Sequence, residues 1–138
     1  MKIAICGSAT FAKEVMEIKN DLEKLGYEVL TPHNFILYAD GMLAPETREK
    51  STQNKVKDDL IRQYYNEIKE SDAILAVNKD KHRIKNYIGG NTFLEIGFAH
   101  VLNKKVFLLN PVPDMLYADE IMAMEHIVLN GDLNKIAV

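Results

Sequence analysis

The residues best suited to chemistry lie in one stretch, 87–100, where two glycines lead into an apolar segment that carries a carboxylate. Gly89 and Gly90 come first, and glycine lets the backbone approach a ligand closely because it has no Cβ atom. Asn91 and Thr92 follow, and both are preferred helix N-cap residues, so a helix is expected to start here. Free N–H groups at a helix N-terminus favour anionic ligands, and Glu95 in the first turn could act on a molecule bound there.

The same residues also have a purely structural interpretation. Thr92 and Glu95 have the spacing of a capping box, in which each side chain accepts a hydrogen bond from the other residue's backbone N–H group. Local sequence leaves the helix cap and the catalytic Glu95 as open alternatives, because short motifs of this kind often occur by chance.

A second candidate ligand loop follows the first apolar run of the chain. Residues 3–6 are apolar and end in Gly7 and Ser8, which are expected between a strand and a helix. Backbone N–H groups in such a turn can bind phosphate, although glycine and serine are common in any tight turn. The spacing is neither that of a Walker A loop nor that of a G-x-G-x-x-G motif, so a dinucleotide is not expected.

Composition argues against several classes of function. The chain has 138 residues and is expected to form one domain over 1–138, with a net charge of −3 that favours neither nucleic acid nor a membrane surface. No run of 18 apolar residues and no cleavable signal pattern is present, so a cytoplasmic location is expected. Cys6 is the only cysteine and is expected to be a small buried side chain, and the four histidines lack metal-site spacing. Neither a metal nor a cofactor is expected.

Hydrophobic periodicity predicts alternating strands and helices. Residues 33–53 fit neither period, and they are interpreted either as a lid over a binding site or as a short helix or disordered insertion. The predicted strands are 2–6, 27–30, 73–77, 105–109 and 126–129, and the predicted helices are 11–25, 54–70, 91–102 and 116–124.

Strands that are apolar throughout, separated by helices, indicate a central parallel sheet covered on both faces. The expected fold is an α/β, flavodoxin-like three-layer sandwich with a five-stranded parallel sheet in the order 2-1-3-4-5. Ligands of such sheets bind beyond the carboxyl ends of the strands, at the point where the strand order reverses. Because strands one and three would be neighbours, Gly7 and Ser8 are expected near the loop that leads to Glu95.

Two further features flank this predicted site. The loop 78–90 is rich in lysine and arginine, which could attract an anion, although such runs are more often a solvated surface. Tyr64 lies on the apolar face of its predicted helix and is interpreted as a core residue whose hydroxyl could reach a binding pocket.

One longer pattern spans residues 89–107: it reads GGNTFLEIGFA at 89–99 and KKVF at 104–107. This pattern resembles the signature of the nucleoside 2-deoxyribosyltransferase superfamily, and the order of elements matches across nearly the whole chain. The superfamily contains base-exchanging transferases and a 5-hydroxymethyl-dUMP N-hydrolase. The resemblance implies that Glu95 attacks C1′ of the sugar and forms a covalent glycosyl-enzyme, as in a retaining glycosidase.

The resemblance also implies roles for other residues. Gly7 and Ser8 would hold the 5′-phosphate of a nucleotide, and Gly90 and Asn91 would bind substrate. Two further positions differ from the transferases. Tyr64 stands at the level where the transferases carry an Asp close to the nucleobase, and Gly89 stands where they often carry Asp or Ser; both are included among the predicted substrate-binding residues.

The predicted function is therefore cleavage or transfer at the N-glycosidic bond of a nucleoside or nucleoside 5′-monophosphate. A looser similarity to the Lonely Guy phosphoribohydrolases, in the Gly-Gly-x-Thr-x-x-Glu run, points to the same bond. A nucleotide-binding module without turnover and, more weakly, a flavin-type binding domain are the alternatives. Because a second chain commonly completes active sites in the superfamily, a homodimer or higher homo-oligomer is expected, with the apolar segments 35–38 and 116–124 as candidate interfaces.

Overall fold

Five parallel strands form one sheet in the order β2-β1-β3-β4-β5, as predicted. The computed structural model describes residues 1–44 and 47–136. Strands β1 and β3 are in register from Ile3 opposite Ala73 to Cys6 opposite Ala76, so both end at the same edge of the sheet. The strands are β1 Lys2–Cys6, β2 Glu28–Leu30, β3 Ala73–Ala76, β4 Lys105–Leu108 and β5 Ile127–Val128.

Helices cover both faces of the sheet. One face packs a core that includes Val15 and Leu22 of α1 and Phe35 of α2. The opposite face packs Ile68 of α4 and Ile96 of α5 among its buried residues. The helices are α1 Ala12–Lys24, α2 Phe35–Ala39, α3 Arg48–Asp58, α4 Leu60–Lys69, α5 Gly90–Val101 and α6 Ala118–Ala123, with short 3-10 turns at Ala9–Phe11 and Leu133–Lys135.

The prediction of one continuous helix over 54–70 is wrong, because the structure has two helices that are separated at Asp59. Asp59 has a positive φ of 50°, a conformation that short polar side chains tolerate, and it separates α3 from α4. Leu60 is buried after the break, whereas Val56 before it is 79% exposed, so the two residues do not share the buried face that their spacing indicates.

The segment 33–53 contains helix α2 and the start of α3, which agrees with the short-helix alternative in its described part. Residues 45 and 46 lie outside the described residues. The start of α2 follows Asn34, whose φ is 64°.

The helix that carries Glu95 starts one residue before the predicted 91, and its predicted N-cap, Asn91 or Thr92, is wrong. Helix α5 begins at Gly90, and Gly89 is its N-cap with an extended backbone and no side-chain cap hydrogen bond. Thr92 therefore lies inside the first turn, where it is 5% exposed. The capping-box interpretation of Thr92 and Glu95 fails, because the N-cap position is three residues earlier than that motif requires.

Candidate functional site

The loop after β1 is fixed to the loop after β3 by a hydrogen bond between side chains. Lys81 Nζ donates to Ser8 Oγ at 2.7 Å. The same hydroxyl oxygen accepts a bond from the backbone N–H group of Thr10 at 3.3 Å, which makes Ser8 the N-cap of the turn Ala9–Phe11. The two loops meet where the sheet order reverses, which is the edge where ligands of such sheets bind.

Gly7 lies where these strand ends are closest. A Cβ atom at Gly7 would stand 3.4 Å from the carbonyl oxygen of Val77 and 3.5 Å from its Cβ atom. These are ordinary van der Waals distances, so Gly7 lies close to the residue that follows β3.

Glu95 lies beside the end of β1, in contact with the fully buried Cys6. The pKa of the Glu95 carboxyl is raised from its ordinary 4.5 to about 7. Burial is the main cause, a hydrogen bond with the Cys6 thiol opposes the rise, and the Glu67 carboxylate adds to it. Burial also raises the pKa of the Cys6 thiol, with Glu95 adding to the effect. Glu95 is intermediate in exposure as a residue, while its carboxyl group is largely desolvated.

Glu67 is an acidic neighbour that sequence reasoning missed. It lies on α4, three residues after Tyr64 and therefore on nearly the same face of the helix. Helix α4 packs on α5 through the edge-to-face rings of Tyr65 and Phe98, whose centroids are 5.4 Å apart. Gln63 Nε2 donates to Glu67 Oε1 at 3.3 Å. The signal in the sequence was the helical spacing from Tyr64, which stands at the level where the transferases carry an Asp.

Tyr64 itself is partly buried on α4. The structure places it one helical turn before Glu67, so the two side chains are neighbours on the helix surface.

The three predicted substrate-binding residues around the start of α5 lie together at its N-terminus. Gly89 is the N-cap, and its carbonyl accepts the first helical hydrogen bond from Phe93 at 2.9 Å. Gly90 and Asn91 are exposed, and a Cβ atom at Gly90 would have no neighbour within 4 Å among the described residues. Backbone N–H groups in this turn are therefore accessible to a ligand.

The loop 78–90 has a defined conformation. Lys81 and Ile84 exchange backbone hydrogen bonds of 3.1 and 2.9 Å, and the Tyr87 N–H group donates to the Lys79 carbonyl at 2.9 Å. The Asp80 carboxylate accepts a bond from the backbone N–H group of Asn86 at 3.0 Å. These contacts hold the Lys81 backbone in place beside Ser8.

The buried side-chain amide of Asn78 joins this loop to the residues that follow β4. Asn78 is 0% exposed and donates from Nδ2 to the carbonyl oxygens of Asn110 at 2.8 Å and Pro111 at 3.1 Å. Its Oδ1 accepts from the Asn110 backbone N–H group at 2.9 Å, and the Asn110 side chain donates to the Asn78 carbonyl at 2.9 Å. The loops after β3 and β4 are thus joined with their buried polar groups satisfied.

An aromatic pair lies beside the same turn. Phe93 of α5 stacks on Tyr117, with ring centroids 4.4 Å apart and planes inclined by 17°. The Tyr117 hydroxyl donates to the carbonyl of Ile88, and burial raises its pKa. The stacked pair and the hydrogen bond together hold Tyr117 against α5 and against Ile88, the residue before Gly89.

A cavity of about 610 Å³ lies elsewhere, between α4 and the β1–β2 side of the sheet. None of the sequence-predicted site residues lines it, whereas Glu67 does. We place the candidate site at the strand ends, because the carboxylate with the raised pKa and the two glycine loops lie there. The cavity is lined by Lys2, Leu30, Asp59, Arg62, Gln63, Asn66, Glu67 and Glu70.

Residues 1–44 and 47–136 contain neither a metal-binding cluster nor a membrane-spanning helix. No cluster of three His, Cys, Asp or Glu side chains suited to a metal ion occurs within them. Their helices include none with the length and apolar character needed to cross a bilayer.

Comparison of this chain with known proteins shows a similar fold in solved structures and no matching family model or curated sequence. No protein-family model and no curated protein matches the chain. A solved structure shares the fold. It is the CMP N-glycosidase BcmB of Clostridium botulinum, which aligns with a TM-score of 0.53 and 18% identity over 94% of this chain and 90% of that one. The flavoenzyme NAD(P)H:(acceptor) oxidoreductase FerB of Paracoccus denitrificans aligns with a TM-score of 0.49 and 14% identity, over 95% of this chain and 76% of that one.

Proposed function

We propose that this protein cleaves the N-glycosidic bond of a nucleoside or nucleoside 5′-monophosphate, with Glu95 as the nucleophile. The observation that carries the proposal is a largely desolvated carboxylate with a pKa of about 7, on a partly exposed residue beside the end of β1. The fold similarity to a structure described as a CMP N-glycosidase supports the same class of bond.

The proposed reaction has two displacements at one carbon. The ionised Glu95 attacks C1′ of the sugar, the C1′–N bond breaks, and its electron pair leaves with the base, which takes up a proton. Water then attacks C1′ of the glycosyl-enzyme, releases Glu95 as a carboxylate and gives up a proton. Glu67 is the proposed proton donor and acceptor, because its charge already acts on Glu95.

A desolvated carboxylate suits this chemistry. The transition state has oxocarbenium character, so positive charge develops at the sugar next to Glu95. The same desolvation that raises the pKa of Glu95 in the free protein strengthens its attraction for that charge.

The remaining predicted residues are assigned to binding. Gly89, Gly90 and Asn91 would hold the substrate through accessible groups at the start of α5. Tyr64 would line the base side of the site from α4. In a transferase the second displacement would use a different base in place of water.

The direct test is base release from a panel of ribo- and deoxyribonucleosides and their 5′-monophosphates, followed by chromatography. Glu95→Gln should lower kcat by at least about 1,000-fold, as loss of a nucleophile does. Glu17→Gln, an exposed position on α1, is the matched control and should retain full activity. Base release by Glu95→Gln at the parent rate would refute the mechanism.

A nucleotide-binding module without turnover is the second candidate. It is favoured by the pKa of about 7, since roughly half of Glu95 is protonated and not nucleophilic at neutral pH. A rise in melting temperature with nucleotides, without any base released over long incubation, would support this alternative over the enzyme.

A homodimer or higher homo-oligomer is also proposed. Ile36 and Leu37 in the segment 35–38 are 57% and 38% exposed, and Leu116 and Met122 in the segment 116–124 are 96% and 60% exposed. Contact with a second chain would cover these exposed apolar side chains. Light scattering at micromolar concentration should give at least a dimer mass, and a monomer mass would contradict the proposal.

A further inference from the structure

Cys6 faces the helix that carries Glu95. Side chains alternate between the two faces of a strand, and along β1 Ile3 and Ile5 pack on the face covered by α1, whereas Cys6 packs on the opposite face. Ile96, which directly follows Glu95 on α5, is buried in the same core as Cys6. Because Cys6 is the last residue of β1, its side chain lies at the edge of the sheet where the candidate site is placed.

The thiol of Cys6 needs a hydrogen-bond partner inside the protein. Cys6 is 0% exposed, so water does not reach its S–H group, and two acceptors in the described residues are in contact with it. The Ala4 carbonyl oxygen is 3.9 Å from the sulfur, and the Glu95 carboxyl is hydrogen-bonded to the thiol. An ionised carboxylate is a stronger acceptor than a backbone carbonyl, so the bond to Glu95 is the stronger of the two.

A second group within the described residues acts on Glu95 in the opposite sense. Glu67 acts from α4 and has the same charge, so it disfavours the carboxylate form that Cys6 favours from β1. On α5 itself, His100 lies five positions further along and is exposed. Burial raises the pKa of the Cys6 thiol, so the thiol keeps its proton, and can donate it in a hydrogen bond, at neutral pH.

We propose that Cys6 is a positioning residue for the nucleophile: its thiol donates a hydrogen bond to one carboxylate oxygen of Glu95 and leaves the second oxygen free to attack the sugar. The proposal rests on the function proposed above, in which Glu95 attacks C1′. Because Cys6 is fully buried, it acts on the reaction through Glu95 and not through the substrate.

A weak donor suits both displacements. In the first, Glu95 must be ionised, and a thiol favours that form without the strong stabilisation by a charged partner that would reduce its nucleophilicity. In the second, Glu95 leaves C1′ as a carboxylate, and the S–H group donates to the negative charge that forms on it. The proton stays on the sulfur in both steps.

The parent protein allows a direct test of this contact, because Cys6 is the only cysteine of the chain. The S–H stretching band in the Raman spectrum therefore reports on one thiol. Ionisation of Glu95 strengthens the hydrogen bond, so the band should move to lower frequency between pH 5 and pH 8, with a midpoint near pH 7. In Glu95→Gln the band should stay at one frequency over this range. A band that does not move in the parent protein would overturn the proposal.

Variants of Cys6 connect the contact to the reaction. Cys6→Ser keeps a donor, whereas Cys6→Val and the smaller Cys6→Ala do not. The acid limb of the pH profile of kcat/KM should lie about one pH unit higher in the two apolar variants than in Cys6→Ser. Below pH 6 the apolar variants should therefore be about tenfold slower than Cys6→Ser. Ile74→Val, a change in the same core on β3, is the control and should leave the acid limb at the pH of the parent protein.

Titration of Glu95 without substrate separates this proposal from the proposed function. Carbon-13 NMR of labelled glutamate carboxyl groups, assigned with Glu95→Gln, measures this titration. If it moves to higher pH in Cys6→Val and Cys6→Ala while no substrate releases a base, the contact stands and the glycosidase proposal fails. If a base is released, and both the titration and the acid limb are the same in Cys6→Ser and the apolar variants, the glycosidase proposal stands and the assignment of Cys6 is wrong.

Discussion

Glu95 should destabilise the folded protein at the pH where it would be needed for catalysis. The pKa of its carboxyl rises from 4.5 to about 7 on folding, so the folded state binds the proton more tightly than the unfolded chain. Between these two pH values the folded state carries more protons, and the free energy of unfolding therefore decreases as pH rises. The full shift from 4.5 to about 7 corresponds to about 3 kcal/mol of lost stability once Glu95 is ionised.

Glu95→Gln removes this pH dependence, because glutamine resembles the protonated acid in shape and charge. At pH 5 the parent protein is already mostly protonated at Glu95, so the variant should differ little from it. At pH 8 the free energy of unfolding of Glu95→Gln should exceed that of the parent protein, and this difference should be larger than at pH 5 by about 2 to 3 kcal/mol. Urea unfolding of both proteins at the two pH values measures the difference directly.

Glu17→Gln again serves as the matched control, because Glu17 is exposed on α1. Its stability relative to the parent should be the same at pH 5 and pH 8. If Glu95→Gln also shows no change in relative stability between pH 5 and pH 8, Glu95 is not desolvated in the folded protein, and the electrostatic part of the proposed mechanism is refuted.

Two further predictions concern the surroundings of Glu95. Activity should fall about tenfold per pH unit below pH 7, because the nucleophile becomes protonated. Glu67→Gln should move this acid limb of the pH profile to lower pH, because it removes a charge that raises the Glu95 pKa. An acid limb at the same pH in Glu67→Gln would show that the Glu67 charge does not act on Glu95. Asn78→Ala, which loses three side-chain hydrogen bonds at a buried position, should destabilise the fold by about 3 kcal/mol, whereas Asn110→Ala loses one and should cost about 1 kcal/mol. Equal urea midpoints for the two alanine variants would contradict this assignment.

The sheet could be predicted because its signals are local and agree with one another. Residues 3–6 and 73–77 are apolar without alternation, which is typical of strands covered on both faces, and both runs are buried in the structure. The connection rules for parallel strands then leave few possible orders, and the order 2-1-3-4-5 is the one observed.

The structure corrects the predicted helices in two places. Asp59 continues the helical pattern of its neighbours, yet its positive φ ends α3, and the pattern contains no sign of that choice. Asn91 and Thr92 are better N-cap residues than glycine, yet Gly89 is the N-cap, two residues before Asn91 and three before Thr92.

The neighbours of Glu95 could not be found from spacing. Glu67 and Cys6 lie 28 and 89 positions before Glu95, and they act on it through helix and strand packing that no local motif encodes. Lys81 is one of several cations in its loop, and its bond to Ser8 and its partial burial, which distinguish it from Lys85, are seen in the structure alone. The sheet topology was enough to predict the position of the candidate site. The raised pKa of Glu95 depends on tertiary packing, which the sequence pattern does not show.

The burial of Cys6 has a practical consequence for following ligand binding in solution. Cys6 is the only cysteine of the chain, it is 0% exposed, and burial raises the pKa of its thiol, so it is neither accessible nor ionised at neutral pH. Maleimide reagents attack thiolates, so the native protein already serves as an unreactive background for labelling. In Lys85→Cys the new thiol would be the single reactive group, and a fluorophore attached there would report on the loop 78–90 while leaving Lys81 unmodified.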